Sequence, residues 1–211
     1  MARIVSKNFL NGASGRIGNT VTYMLNGVQV IRSLPYQGKK HKPSALQQQH
    51  LDAFKKQHLF ARSVKQTVID RIWSKEEIPP GLNPYNYFLK CNRAAFANTE
   101  KIMHPTLLRL STGKLLPAEN MVFACEEHLL RIQWNGSQTN FYARTTDRLN
   151  VVLLINRESI LFLDAKAVRK DGDATIQLPD TVANDMVEGF LFWSDVNDNA
   201  FSPSVFWQVK E

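Results

Sequence analysis

Apolar residues recur with two different periods along this chain, and the change from one to the other falls close to Pro105. Between residues 45 and 73, Leu51, Phe54, Ala61, Val64, Val68 and Ile72 stand 3, 7, 3, 4 and 4 positions apart, which keeps them on one side of a helix. Ser44 and Gln47 precede this stretch as a capping box, so a helix is expected from about Ala45 to about Trp73. Glu76-Glu77-Ile78-Pro79-Pro80-Gly81 ends it, because two prolines cannot donate to the ladder and a glycine follows. A second helix opens at Asn83 as N-cap with Pro84 at its first position, where the missing N–H costs nothing. Tyr85, Phe88, Leu89, Ala95 and Phe96 give it an apolar side up to about Asn98, and the two helices are expected to pack antiparallel.

Beyond Pro105 the pattern shortens. Runs at 107–110, 121–124, 129–134, 150–155, 159–166, 174–178, 189–193 and 204–209 read as strands, separated by Asn135-Gly136, Asp171-Gly172 and Asn197-Asp198-Asn199. Short strands at this spacing predict an antiparallel sandwich of immunoglobulin-like type, with Trp134, Phe192 and Trp207 as its heaviest core residues. The unbroken apolar run from Val151 to Ile155 predicts a central strand buried on both faces. Ahead of the helices, residues 16–34 hold two β-rich runs joined by Asn26-Gly27, the dipeptide best suited to a type I′ turn. There Val21, Tyr23 and Leu25 alternate with Thr20, Thr22 and Met24, so burial of one face is expected, against the helix that follows, because a lone hairpin is marginal in water. The fold expected is therefore α+β. It comprises an N-terminal β-hairpin with two antiparallel helices over residues 1–105, then an immunoglobulin-like antiparallel β sandwich over residues 106–211.

The order of these features resembles an uncharacterised family of Bacteroides-type bacteria. The likeness rests on Gly15, Gly18, Tyr23, Gly27, Val30, Ile31 and Arg32, on the Pro-Ser-x-x-Gln helix start, and on the run Asn83-Pro84-Tyr85-Asn86-x-Phe88, and it covers nearly the whole chain. At the helix start His50 and Leu51 stand where that family more often has Gln-Arg. The resemblance implies an architecture and carries no activity with it.

Charge divides the chain at the same place as the pattern. Residues 1–105 carry 16 Lys and Arg against 5 Asp and Glu, a net of +11, whereas residues 106–211 carry 10 against 14, a net of −4. Arg16, Arg32, Lys39, Lys40, Lys42, Lys55, Lys56, Arg62 and Lys65 are the candidate contacts for nucleic acid or an acidic partner. The same residues also suit a solvated helix face, and no recognition helix or RNA-binding aromatic motif accompanies them.

Other motifs fail on spacing. Gly12, Gly15 and Gly18 precede a strand and match no phosphate loop, so they read as turn glycines. Asp195, Asn197 and Asn199 imitate the opening of a calcium loop, but Ala200 and Phe206 stand where glycine and glutamate belong; a hairpin tip is expected instead. Ser111-Thr112-Gly113-Lys114 matches S-x-x-K without its companion elements, and the histidines lack ligand spacing. Cys91 and Cys125 are read as buried free thiols. No cofactor, metal site or catalytic set is expected. No run reaches the roughly 18 apolar residues of a membrane span, which makes a cytoplasmic address the default and leaves export open. The chain is expected to be a non-catalytic structural or protein-interaction module that binds itself or another protein, with nucleic-acid binding through the basic half as the alternative.

Overall fold

The computed structural model describes residues 2–4, 12–25, 27–34, 42–97, 104–117, 120–137, 140–179 and 186–210. It divides the chain into Met1–Pro43 and Ser44–Glu211.

In the first unit the expected pair of strands belongs to a four-stranded antiparallel sheet. Its members are β1 (Ala2–Ile4), β2 (Gly15–Ile17), β3 (Thr20–Leu25) and β4 (Val28–Ser33), in the order β1-β4-β3-β2. Asn26 lies outside the described residues, while Gly27 has φ +77°, as a primed turn requires. Burial in β3 does not follow the Val21, Tyr23, Leu25 face. Thr22 is its buried residue, and Leu25 is 47% exposed. The reason is a polar one. Gln29 on β4 is buried beside Thr22 and donates from Nε2 to the Ala13 carbonyl at 2.8 Å and to Thr22 Oγ1 at 3.1 Å, while its Oε1 accepts from the Gly12 N–H at 2.8 Å. This side chain therefore satisfies backbone groups of the loop before β2 that no strand pairs.

The second unit begins with α1 (Ala45–Ser63), where Ser44 and Gln47 form the expected capping box. The helical course continues through a π segment, Lys65–Ile69, and a 3-10 turn, Trp73–Lys75, so the long helix is interrupted after Ser63. Helix α2 (Pro84–Asn92) starts as expected, with Asn83 Oδ1 accepting from the Asn86 N–H at 2.7 Å, and runs into a 3-10 turn, Arg93–Phe96. Among the described residues seven strands follow: β5 (Val122–Glu126), β6 (Leu129–Gln133), β7 (Arg148–Ile155), β8 (Ser159–Leu163), β9 (Asp173–Gln177), β10 (Met186–Ser194) and β11 (Val205–Lys210). All pairings are antiparallel, in sheets ordered β11-β10-β7-β8 and β5-β6-β9. The molecule is thus α+β.

Two cores meet at the four-stranded sheet. On one face Val152, Leu154, Phe190, Phe192 and Phe201 pack with Phe60, Val64, Ile72, Trp73, Phe88 and Phe96 of the helical segment. On the other, Val151, Leu153, Leu191, Trp193 and Trp207 pack with Leu130, Ile132, Trp134 and Ile176 around the three-stranded sheet. Strand β7 is accordingly buried on both sides from Leu149 to Leu154, and the three expected aromatic core residues are all buried. Because the helices and the strands share a core, the boundary expected after residue 105 falls inside the second unit.

The run at 107–110 forms no strand. Leu108 and Leu110 are buried, but the segment opens with a 3-10 turn, Pro105–Leu107, and side chains take the backbone groups of Arg109 and Leu110. Asn92 Oδ1 accepts from the Arg109 N–H at 2.7 Å, Ser204 Oγ from the Leu110 N–H at 3.0 Å, and the Trp73 indole donates to the Leu110 carbonyl at 2.8 Å. Cys125 is buried as expected, whereas Cys91 is half-buried.

Candidate functional site

The nine candidate basic residues are divided between the two units. Lys39 and Lys40 lie outside the described residues, and Arg16, Arg32 and the exposed Lys42 belong to the first unit. Strand register puts Arg16, Val21 and Arg32 opposite one another across β2, β3 and β4, so the two arginines share a face of that sheet. The Arg32 guanidinium lies 5.7 Å from the centre of the Tyr23 ring, and Arg16 Nε donates to the Gly18 carbonyl at 3.0 Å.

Lys55, Lys56, Arg62 and Lys65 are all exposed on the helical segment of the second unit. Helical geometry spreads them: Lys55 and Arg62 line up, Lys56 and Lys65 fall to either side, and Lys65 is 3.7 Å from Asp70. Leucines alternate with the aligned cations. Leu51, Lys55, Leu59 and Arg62 form one outward row at i, i+4, i+8 and i+11, with Leu51 55% and Leu59 57% exposed. Phe54, beside this row, is also exposed and packs edge-on against His58, whose Nδ1 is 3.0 Å from Tyr85 Oη. The helical stripe read from the sequence therefore splits. Ala61, Val64, Val68 and Ile72 are buried, whereas Leu51 and Phe54 face water.

A second set of polar residues, with no motif to announce it, gathers where the helix-covered face of the four-stranded sheet ends. Here Arg148, Asn150 and Ser194 continue the face that is apolar at Val152, Leu154, Phe190 and Phe192. Arg71 reaches over from the helical segment. It donates through Nη2 and Nε to Asp198 Oδ2 at 2.8 and 3.3 Å and through Nη2 to Asn150 Oδ1 at 3.3 Å, with its guanidinium 5.7 Å from the Phe162 ring centre. Asn150 Nδ2 donates in turn to Ser194 Oγ at 2.9 Å. These groups border a cavity of about 500 Å³.

The remaining motifs resolve into structure. Asp195 Oδ1 accepts from the Asn199 and Ala200 N–H groups at 2.6 and 3.1 Å, folding the tip between β10 and β11. Ser111 Oγ donates to the Ser202 carbonyl, and Lys114 pairs with the exposed Glu77, whose carboxyl is held below its ordinary range by hydrogen bonding to that lysine. Among the described residues there is no group of three His, Cys, Asp or Glu side chains placed to hold a metal ion, and no helix long and apolar enough to cross a membrane. Compared with protein-family models, with curated proteins and with solved structures, the chain matches none of them.

Proposed function

We propose that this chain is a non-catalytic protein-interaction module, in which an immunoglobulin-like sandwich carries a helical layer and α1 meets an acidic protein partner. The strand order supports the first part. Of the seven strands after residue 120, the first, second and fifth share one sheet and the third, fourth, sixth and seventh the other. That partition supports an immunoglobulin-like reading, in a form where the fourth strand pairs with the third rather than crossing to the opposite sheet.

The observation that carries the second part is the outward row of α1, Leu51-Lys55-Leu59-Arg62. Two leucines more than half exposed on one row lose hydration cost only when covered, and the cations interleaved with them favour a cover that brings carboxylates. A second copy of α1 would set like charges against each other, which disfavours self-pairing through this row.

The test is retention of proteins from a native bacterial lysate, alongside light scattering, with the wild type and a Leu51→Ser/Leu59→Ser variant. Acidic proteins held by the wild type, released as salt rises and absent from the variant are the expected result. A monomer that retains no protein, or a variant that retains the same set, overturns the reading.

A second reading, nucleic-acid binding, is favoured by the row of Arg16 and Arg32 across the first unit's sheet, with Tyr23 beside it. Titration with duplex and single-stranded oligonucleotides checks it. Affinity falling steeply with salt and weakened in Arg16→Gln/Arg32→Gln is its signature, and absence of binding at low salt removes it.

A further inference from the structure

We infer that the cavity between the helical segment and the end of the four-stranded sheet binds a small organic monocarboxylate. The site is independent of the α1 row. Its walls come from four places far apart in sequence: Arg71, the first residues of β7, the end of β8 with the loop after it, and the β10–β11 turn.

Preorganisation is the first support. Arg71 is fixed by Asp198 and Asn150, Asn150 is fixed by Ser194, and the Arg71 guanidinium lies by Phe162. Asn150 and Ser194 are buried, so a polar network has been kept at a place where the neighbouring positions of the same sheet face are apolar. A buried polar network is costly unless satisfied, and this one is closed through the Arg71, Asn150 and Ser194 side chains. Such an arrangement suits a site built to hold a charged group in one position better than it suits a packing contact.

Charge and shape narrow the ligand. Arg71, Arg148 and Lys166 face Asp164 and Asp198 around the cavity, which leaves one positive charge in excess. Arg71 is already engaged by Asp198, and Lys166 lies 3.9 Å from Asp164. Arg148 makes no ion pair among the described residues, so its planar fork is the group available to receive a carboxylate in bidentate fashion. A monoanion balances the cavity; a dianion would leave it over-compensated. The Phe162 ring also lines the space, which lies within the size range of small-molecule sites, so the carboxylate is expected to carry an organic body.

The experiment is an amide-detected NMR titration of the whole chain with benzoate, with benzamide, with inorganic phosphate, and with a blocked dipeptide bearing a free C-terminus. Saturable shifts at Leu149, Asn150 and Ser194 are expected for benzoate or the dipeptide, whichever is tighter naming the free acid or the peptide terminus as the source. Benzamide should leave those amides unmoved. Arg148→Met, a change at an exposed position, should weaken the carboxylate by about tenfold or more, while Lys90→Met on α2 should not. Unmoved amides with both carboxylates, equal shifts with benzamide, tighter binding of phosphate, or undiminished affinity in Arg148→Met each overturn the proposal.

Discussion

Arg169 and Asp147 make the most consequential single contact of the second unit. Their side chains are 0% and 1% exposed, with Nε donating to Asp147 Oδ2 at 3.1 Å and Nη2 to the Leu116 carbonyl at 2.7 Å, while the guanidinium lies 4.6 Å from the Trp193 ring centre. Burial pushes the guanidinium below its ordinary range and Asp147 pulls it partly back. A buried pair adds little net stability, but breaking it strands a charge. Asp147→Ala is therefore expected to lower unfolding free energy by about 3–5 kcal/mol in denaturant melts, and Asp147→Leu/Arg169→Met to recover much of that loss. Gly189 is a second sensitive point. A Cβ there would stand 2.2 Å from the Val152 carbonyl oxygen and 2.8 Å from Trp207 Cζ2, so Gly189→Ala should cost about 1–3 kcal/mol in the same measurement.

At the scale of elements, two helix caps use the same bond with unequal consequences. Asn83 caps a helix whose Phe88 and Leu89 are buried little more than one turn on, and Asn83→Ala should lower global stability by about 1 kcal/mol. Ser44 caps α1, whose first buried residue is Gln57. Ser44→Ala is thus expected to speed amide exchange over the first turns of α1 and leave the melting temperature of the unit nearly unchanged, since those turns add little to the core. Both caps were legible in the sequence because capping is local chemistry. So was the alternation of β6 and β9, where Leu130 and Ile132 or Ala174 and Ile176 mark the buried face. Leu108 and Leu110 alternate in the same way, yet Asn92 and Ser204 take the hydrogen bonds a strand partner would have taken, and nothing within the run signals those distant side chains. Leu51 and Phe54 carry the period of a buried stripe, but period reports only which residues share a side, not whether that side has a neighbour. The cavity residues, spread from Arg71 to Asp198, have no spacing to read. Their one trace is position: Asn150 and Ser194 are polar residues at the ends of the two longest apolar strands.

At the scale of the whole molecule, the division at Pro43 and the shared core across residue 105 decide what can be separated. A protein of residues 44–211 should unfold in one transition, with the helical Trp73 and the sheet residue Trp193 reporting the same midpoint. Residues 106–211 alone would leave Val152, Leu154, Phe190, Phe192 and Phe201 without cover and should fail to give a cooperative melt. Distinct midpoints for the two tryptophans, or a stable sandwich without its helices, would contradict the three-layer description.

The order of the layers along the chain bears on how the protein is made. The helical segment leaves the ribosome before any strand of the sheet it covers, so β7 and β10 emerge beside a cover that is already present. An aromatic sheet face that would be adhesive during synthesis is met, as it forms, by the surface that hides it.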